Sequence, residues 1–363
     1  MTDKKEIFDS NVPNDKIDIY GNLDVSVKKL KPENDNELRL EIAGMNIDNS
    51  VVNALRRTIL LNIPIYAFHR SNIFIEVEKS RNMYNNDLIY NQIETLPIFD
   101  VPNYYDLENP EIFLPTDIMK NLFSKFIQEK NNEVGPEEEG TVETDPNKKL
   151  FKIDLSINVK NNTGSDIFVS THDAVLKIDG KVSDSYKRRK RLCILVLKPT
   201  EEISLRAEAN LGIAKIHASY EATTNAILDE ITPTKFHLWY ETLEQLDKNM
   251  IFTKACVILS KKLEYLSMYL SNKYKEDREI TETIEVPIIG EDHTLGNLLA
   301  TVLQKCSFVE KAAYWMPHPF IDEVIVVYKL FPKSKKGPIK ILVDCINYLI
   351  KLFKLIASVA PKK

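Results

Sequence analysis

The sequence predicts an α+β protein in which two similar units, each a sheet plus two helices, pair about a pseudo-twofold axis around a mostly β insertion. Three observations predict it. Alternating apolar runs sit beside runs of helical periodicity, the C-terminal segment repeats the N-terminal pattern, and the stretch between them is richer in prolines and short strand-like runs. At 363 residues the chain exceeds one comfortable core.

Residues 1–20 read as a flexible arm. The first unit is predicted over 21–80 and 235–276. In "ELRLEIAGM" (37–45), Leu38, Leu40 and Ile42 alternate with charges, as on a half-buried strand. In "NIDNSVVNALRRTILLNIPIYAF", Val51, Val52, Leu55, Ile59 and Leu60 form a helical stripe, Asp48 or Ser50 can cap it, and Pro64 stops it. "SNIFIEVEK" (71–79) reads as a strand. The insertion is predicted over 81–234, with strands in "FKIDLSINVK" (151–160) and "RLCILVLK" (191–198). The acidic run "EVGPEEEGTVETDPNKK" predicts a mobile loop over 131–149.

A long helical pattern is predicted over 235–276. Trp239, Leu243, Leu246 and Met250 mark one stripe, and Leu259, Leu263, Leu266 and Leu270 continue it. One helix of that length would span about 60 Å, so a break near Asn249 is expected. The second unit, 282–363, holds a strand in "TIEVPII", a helix in "DHTLGNLLATVL", a strand in "EVIVVYKL" and a closing helix over 339–359. Leu342, Ile346, Leu349, Phe353 and Ile356 line that last helix.

A shift of 244 positions lays the second unit on the first. Ile284 meets Leu40, Val286 meets Ile42, Asp292 meets Asp48, Thr294 meets Ser50, Asn297 meets Asn53, Leu299 meets Leu55 and Leu303 meets Ile59. Each unit then carries an apolar closing helix that needs a partner, and the sibling is the nearest one. Leu243, Leu246, Leu259, Leu263 and Leu266 are therefore expected against Leu342, Ile346, Leu349 and Phe353.

Composition narrows the function. A net charge of −5 argues against broad nucleic-acid binding through the whole surface. Four cysteines (193, 256, 306 and 345) with no close pair give no zinc knuckle and suit a reducing compartment. The polar N-terminus and the lack of a long apolar run predict an intracellular soluble protein. No phosphate-cradling glycine loop or magnesium-binding carboxylate triad is present, so no catalytic residue, metal site or cofactor is expected. Asp292–His293 could form a general-base pair, but adjacent residues at a helix start rarely face each other, and a capping carboxylate suits the helix dipole. His293, Thr294 and Asn297 join Asp292 and Ser50 as capping and packing candidates. Gly296 reads as either a close-packing or a merely tolerated glycine. Lys187–Arg191, "KRRKR", could touch nucleic acid, act as a localisation signal, or lie on a solvated or protein-facing loop. His217 reads as a hydrogen-bonded structural histidine, since no second ligand lies three or four residues away.

"EDHTLGNLL" with "PHPFIDEVIVVY" closely resembles the smaller α-like subunit of archaeal and eukaryotic RNA polymerases. "NSVVNALRRTILLNIPIYAF", "LIYNQIETLPI" (88–98) and "LGIAKIHASYEATTNA" (211–226) resemble the larger, third-largest-chain type. The resemblance implies two α-like dimerisation units fused in one polypeptide, as in polymerases of large DNA viruses that transcribe in the cytoplasm. It favours close packing at Gly296. It implies a non-catalytic assembly chain that docks the second-largest and largest polymerase subunits, with a small zinc-binding subunit as a further partner and DNA and RNA met only through the complex. Host cytoplasm or virion is the implied location, or the nucleus for a non-viral chain. Asn53, Arg56, Arg57, His217 and Tyr220 carry the implied docking role. Two departures stand out. With only Cys193 in the insertion, the cysteine cluster of some members cannot form, and the family's H-A-K-W-S-P run is His217, Ala218, Ser219, Tyr220, Glu221 and Ala222 here, which removes a positive charge. The rival reading is an independent nucleic-acid-binding protein acting through 187–191, and a third is a hydrolase around Asp292 and His293.

Overall fold

A computed structural model of the chain describes residues 16, 19–76, 86–101, 151–274, 283–332 and 337–361. The acidic stretch 131–149 lies outside them. The first unit contains β1 (Ser26–Leu30), β2 (Glu37–Ala43) and α1 (Asn49–Leu61). The chain then leaves it through β3 (Ile65–Ile75), α2 (Asn86–Glu94), β4 (Ile153–Lys160), β5 (Ile167–Ser170), β6 (Ala174–Ile178), β7 (Lys181–Ser183), β8 (Cys193–Leu197) and β9 (Glu202–Gly212). It returns with β10 (Thr223–Thr232), β11 (Lys235–Thr242) and α3 (Lys248–Lys273). The second unit is β12 (Ile284–Ile289), α4 (His293–Lys305), β13 (Val309–Trp315), β14 (Glu323–Leu330) and α5 (Pro338–Val359).

The two units share one strand order. The first sheet runs β1-β2-β11-β10 and the second β12-β14-β13, so β2, β11 and β10 correspond to β12, β14 and β13, with β1 an added edge. Leu40 lies opposite Leu238, and Ile284 opposite Tyr328. The 244-residue offset relating α1 to α4 falls to 90 residues between the closing helices, which begin at Lys248 and Pro338. The chain inserted in the first unit accounts for the difference. A further device repeats: Tyr240 Oη donates to the Lys248 carbonyl at 2.6 Å, and Tyr328 Oη to the Pro338 carbonyl at 2.8 Å. Each tyrosine thus ties a middle strand to the first residue of a closing helix.

The sequence placed a helix over 235–247, and the structure corrects it. Residues 235–242 form β11, in which Phe236, Leu238 and Tyr240 are buried and alternate with half-exposed His237 and Trp239. The spacing of Trp239, Leu243 and Leu246 imitates a helical stripe, but Glu244 has a left-handed backbone (φ 63°) that no helix passes through. Asp247 then caps α3, accepting from the Asn249 and Met250 N–H groups. Leu243 is consequently 37% exposed in the turn, off the expected interface, while Leu246 is buried just before α3.

Sheet membership also divides the insertion differently from 81–234. β3 pairs with β9 in a five-stranded sheet, β3-β9-β4-β6-β7, flanked by the β5-β8 pair, whereas β10 completes the first unit's sheet. This layer has its own core, including Phe68, Ile93, Leu155, Ile157, Leu197 and Leu205. The expected flexible arm also reaches the second unit within its described part. Ile19 is 4% exposed in the main core, Lys16 Nζ donates to the Val309 carbonyl at 2.8 Å, and Tyr20 hydrogen-bonds Asp344 of α5. Among the described residues no helix is long and apolar enough to cross a membrane.

Gly296 and Gly212 are among the glycines set by close approach. A Cβ on Gly296 would lie 2.6 Å from Tyr314 Cδ2 and 2.8 Å from Val324 Cγ1, so only hydrogen lets α4 seat on β13 and β14. A Cβ on Gly212 would strike the Tyr220 ring at 2.7 Å. Alanine at 296 would gain helix propensity of about 1 kcal/mol, but overpacking costs about 1–3 kcal/mol. Gly296→Val, larger and β-branched, is expected to lower unfolding free energy by at least about 2 kcal/mol in urea titration, and Gly296→Ala by less.

Candidate dimerisation interface

The two units meet through equivalent elements, α3 against α5 and α1 against α4, as a pseudo-twofold arrangement requires. Both long helices bury one face: Ile251, Phe252, Ala255, Leu259, Leu263, Leu266 and Leu270 on α3, and Ile341, Leu342, Ile346, Leu349, Phe353 and Ile356 on α5. These residues belong to one continuous core that also contains both sheets' inner faces. At the rim Lys354 Nζ lies 2.7 Å from Glu264 Oε1. Near the N-terminal end of α1, Asn46 Nδ2 donates to Tyr348 Oη of α5 at 3.0 Å.

The α1–α4 contact is polar and reciprocal. Asp48 caps α1, accepting from Val51 N at 3.1 Å, and Lys305 from the last turn of α4 reaches its carboxylate at 2.6 Å. Asp292 caps α4, accepting from Thr294 N at 2.8 Å. From the first unit, Arg57 NH2 lies 3.6 Å and Lys215 Nζ 3.5 Å from Asp292 Oδ2. Arg57 Nε also donates to Thr294 Oγ1 at 2.7 Å, and Lys215 reaches Asp322 at 3.3 Å. Each capping carboxylate thus neutralises its helix's exposed N–H groups and receives a cation from the opposite unit. Burial alone would push Asp292 upward; the hydrogen bonds from Thr294, then Lys215 and Arg57, outweigh it and hold the carboxyl at about 2.

A third link lies deeper. Lys262 of α3 is 3.1 Å from both carboxylate oxygens of Glu291, in the turn before α4, and both side chains are almost completely buried. Burial raises the Glu291 pKa, with Lys262 pulling it back.

The residues singled out in the sequence divide accordingly. Ser50 is buried, its hydroxyl on Asp48 Oδ1 at 2.6 Å, beside the cap rather than as the cap. The His293 and Tyr314 rings meet in a T-shaped contact, with centroids 5.8 Å apart, while the Asp292 carboxylate is occupied by Thr294 and cations. Asn297 sits on α4 half-exposed. Arg56 bonds within its own unit, to Asn53 Oδ1 at 2.9 Å and the Ala226 carbonyl at 3.4 Å. Arg57 reaches across to the sibling unit while staying partly exposed, and Tyr220 is 6% exposed against Gly212. His217 lies beside His69 instead of alone, with ring centroids 4.9 Å apart. In the basic run, Lys187 is 3.8 Å from Asp184, Arg188 is 2.9 Å from Asp100, and Arg189 pairs with Glu244 at 2.5 Å and stacks on Phe99. Three of its five cations are therefore already paired with carboxylates. Sequence reasoning missed Lys215, Lys262, Glu291 and Lys305. The internal repeat brings the two helices into register, but nothing in it says which cation crosses to which cap.

Two outcomes test the interface. Because the folded Asp292 carboxyl sits below the ordinary aspartate value, its stabilisation is present above about pH 4 and is lost as pH falls through about 2. Asp292→Ala should cost about 1–2 kcal/mol at pH 6, and the gap from the parent in urea titrations should close toward pH 2. Glu291→Leu alone should cost about 3–5 kcal/mol by stranding the Lys262 charge, and adding Lys262→Met should recover most of it; equal losses in single and double variants would count against the pair.

Comparison with known proteins agrees with this geometry. The RNA polymerase Rpb3/Rpb11 dimerisation domain model matches residues 41–263 and, in a second form, residues 283–358. The chain is 56% identical over 349 residues to a candidate DNA-directed RNA polymerase subunit of Acanthamoeba polyphaga mimivirus, covering 96% of this chain and 97% of that one. It is 56% identical over 43 residues to DNA-directed RNA polymerase subunit Rpo11 of Saccharolobus shibatae, covering 12% of this chain and 47% of that one. Over 53 residues it is 45% identical to Rpo11 of Metallosphaera sedula, covering 15% and 59%. Two matched domains, in the two halves that clasp each other, show that the chain belongs to the RNA polymerase Rpb3/Rpb11 dimerisation-domain family.

Proposed function

We propose that the chain is a non-catalytic assembly platform of a DNA-directed RNA polymerase. The second-largest subunit docks on it first and the largest follows, with a small zinc-binding subunit as a further neighbour. One observation carries this reading: both dimerisation units occur in a single polypeptide and are closed on each other through α3 and α5. A platform usually assembled from two chains is thus ready before any partner arrives. Likeness to the mimivirus protein supports host cytoplasm or virion as its location.

Burial refines the docking surface. Asn53, Arg56 and His217 remain partly exposed along α1 and the connection after β9, so they are the docking contacts that this proposal keeps. Arg57 and Tyr220 act behind them, one in the clasp and one under the connection. The pairing within Lys187–Arg191 favours a protein-facing role for that loop over nucleic-acid binding. A tagged chain purified from native particles should bring down two very large polypeptides in equal amounts, and Arg56→Glu should reduce their recovery at least about fivefold while leaving the melting temperature within a few degrees. Elution of the tagged chain alone would overturn the proposal.

A further inference from the structure

The geometry points to a divalent transition-metal site, suited to zinc, formed by His69, Glu94 and His217. One ligating atom from each lies within 4.8 Å of the others, and the two imidazoles meet nearly perpendicular, at 78°. Two imidazoles and a carboxylate are a borderline-soft donor set that suits zinc and its neighbours better than magnesium or calcium. Tetrahedral zinc with bonds of about 2.0–2.2 Å needs donors about 3.3 Å apart. Small rotamer changes at partly exposed side chains supply that contraction, and water takes the fourth position.

Three features beyond proximity support the assignment. His69 lies where the β3–β9 ladder breaks: Phe68 pairs with Ala209 and Ile73 with Ala207, so His69–Asn72 bulge out of the strand. Such bulges re-aim side chains. Both histidines also carry a serine two positions on. His69 Nδ1 lies 2.8 Å from Ser71 Oγ, and His217 Nδ1 lies 3.0 Å from Ser219 Oγ. Each Nδ1 also accepts the same serine's backbone N–H, at 3.3 Å, so both ring orientations are fixed locally. Finally, the carboxylate is oriented and the nearest cation is drawn away. Arg70 N donates to Glu94 Oε1 at 2.9 Å, while the Arg70 guanidinium pairs with Asp87 and stacks on Tyr90.

The three ligands come from a bulge in β3, the C-terminal turn of α2 and the connection from β9 to β10. An ion there joins the inserted sheet to the strand that leads back into the first dimerisation unit, a staple made without cysteine.

The test uses the full-length chain without a histidine tag, stripped of metal and titrated with zinc chloride by calorimetry. One ion per chain is expected. His69→Gln and His217→Gln should each weaken binding at least about tenfold. His318→Gln should leave binding unchanged, and the metal-free variants should keep the parent's circular dichroism. Should a variant misfold, anomalous zinc scattering from a crystal of the parent chain decides: a peak between His69 and His217 supports the site. No saturable uptake by the parent, undiminished uptake when His69→Gln and His217→Gln are combined, or a zinc peak elsewhere would overturn it.

Discussion

The fold depends on the satisfaction of two carboxylates that start two helices in a seam shared by both units. Asp48 and Asp292 must leave bulk water so that α1 and α4 can lie together, a loss that stays affordable only when each meets N–H donors and a positive charge. The donors come from the aspartate's own helix and a cation from the sibling: Lys305 for Asp48, and Arg57 with Lys215 for Asp292. The cations are not themselves related by the internal symmetry. At the 244-residue offset, Thr301 stands where Arg57 does and Lys305 where Leu61 does.

Around this polar seam the apolar helices supply most of the cohesion. The buried faces of α3 and α5 merge with the inner faces of both sheets into one core. Either unit alone would expose a long apolar helix, a patch that soluble chains rarely leave open. Joining the units in one polypeptide makes their pairing intramolecular. Weak polar links such as Asn46 to Tyr348 can then contribute without having to overcome the entropy of bringing two molecules together.

Much of this was legible in the sequence. The offset between Asp48 and Asp292 located both caps, and α1 and α4 each span thirteen residues at that offset. β14 and α5 were also readable, because eight alternating residues and a sustained apolar stripe admit one period each. β11 was not: its Phe236, Leu238 and Tyr240 alternation competed with an accidental helical spacing through Leu243 and Leu246, and only the left-handed Glu244 breaks the tie. The His69–His217 pairing was equally hidden. Those residues lie far apart in the chain, and a metal signature read by local spacing never compares them. Arg56 and Arg57 read alike as neighbours on a helix flank, yet a turn of about 100° sends one into its own unit and the other across the seam.

The anchoring of Lys16, Ile19 and Tyr20 bears on how the molecule is made. Lys16 and Tyr20 leave a ribosome 293 and 324 residues before Val309 and Asp344, which hold them. β2 likewise waits for β11 before its open edge is covered. Closing such long loops is slow, and until it happens the early half displays unpaired strand and apolar helix surface. A nascent chain of this design is therefore exposed to chaperones for most of its synthesis, and a truncated product lacking α5 would carry that vulnerability permanently.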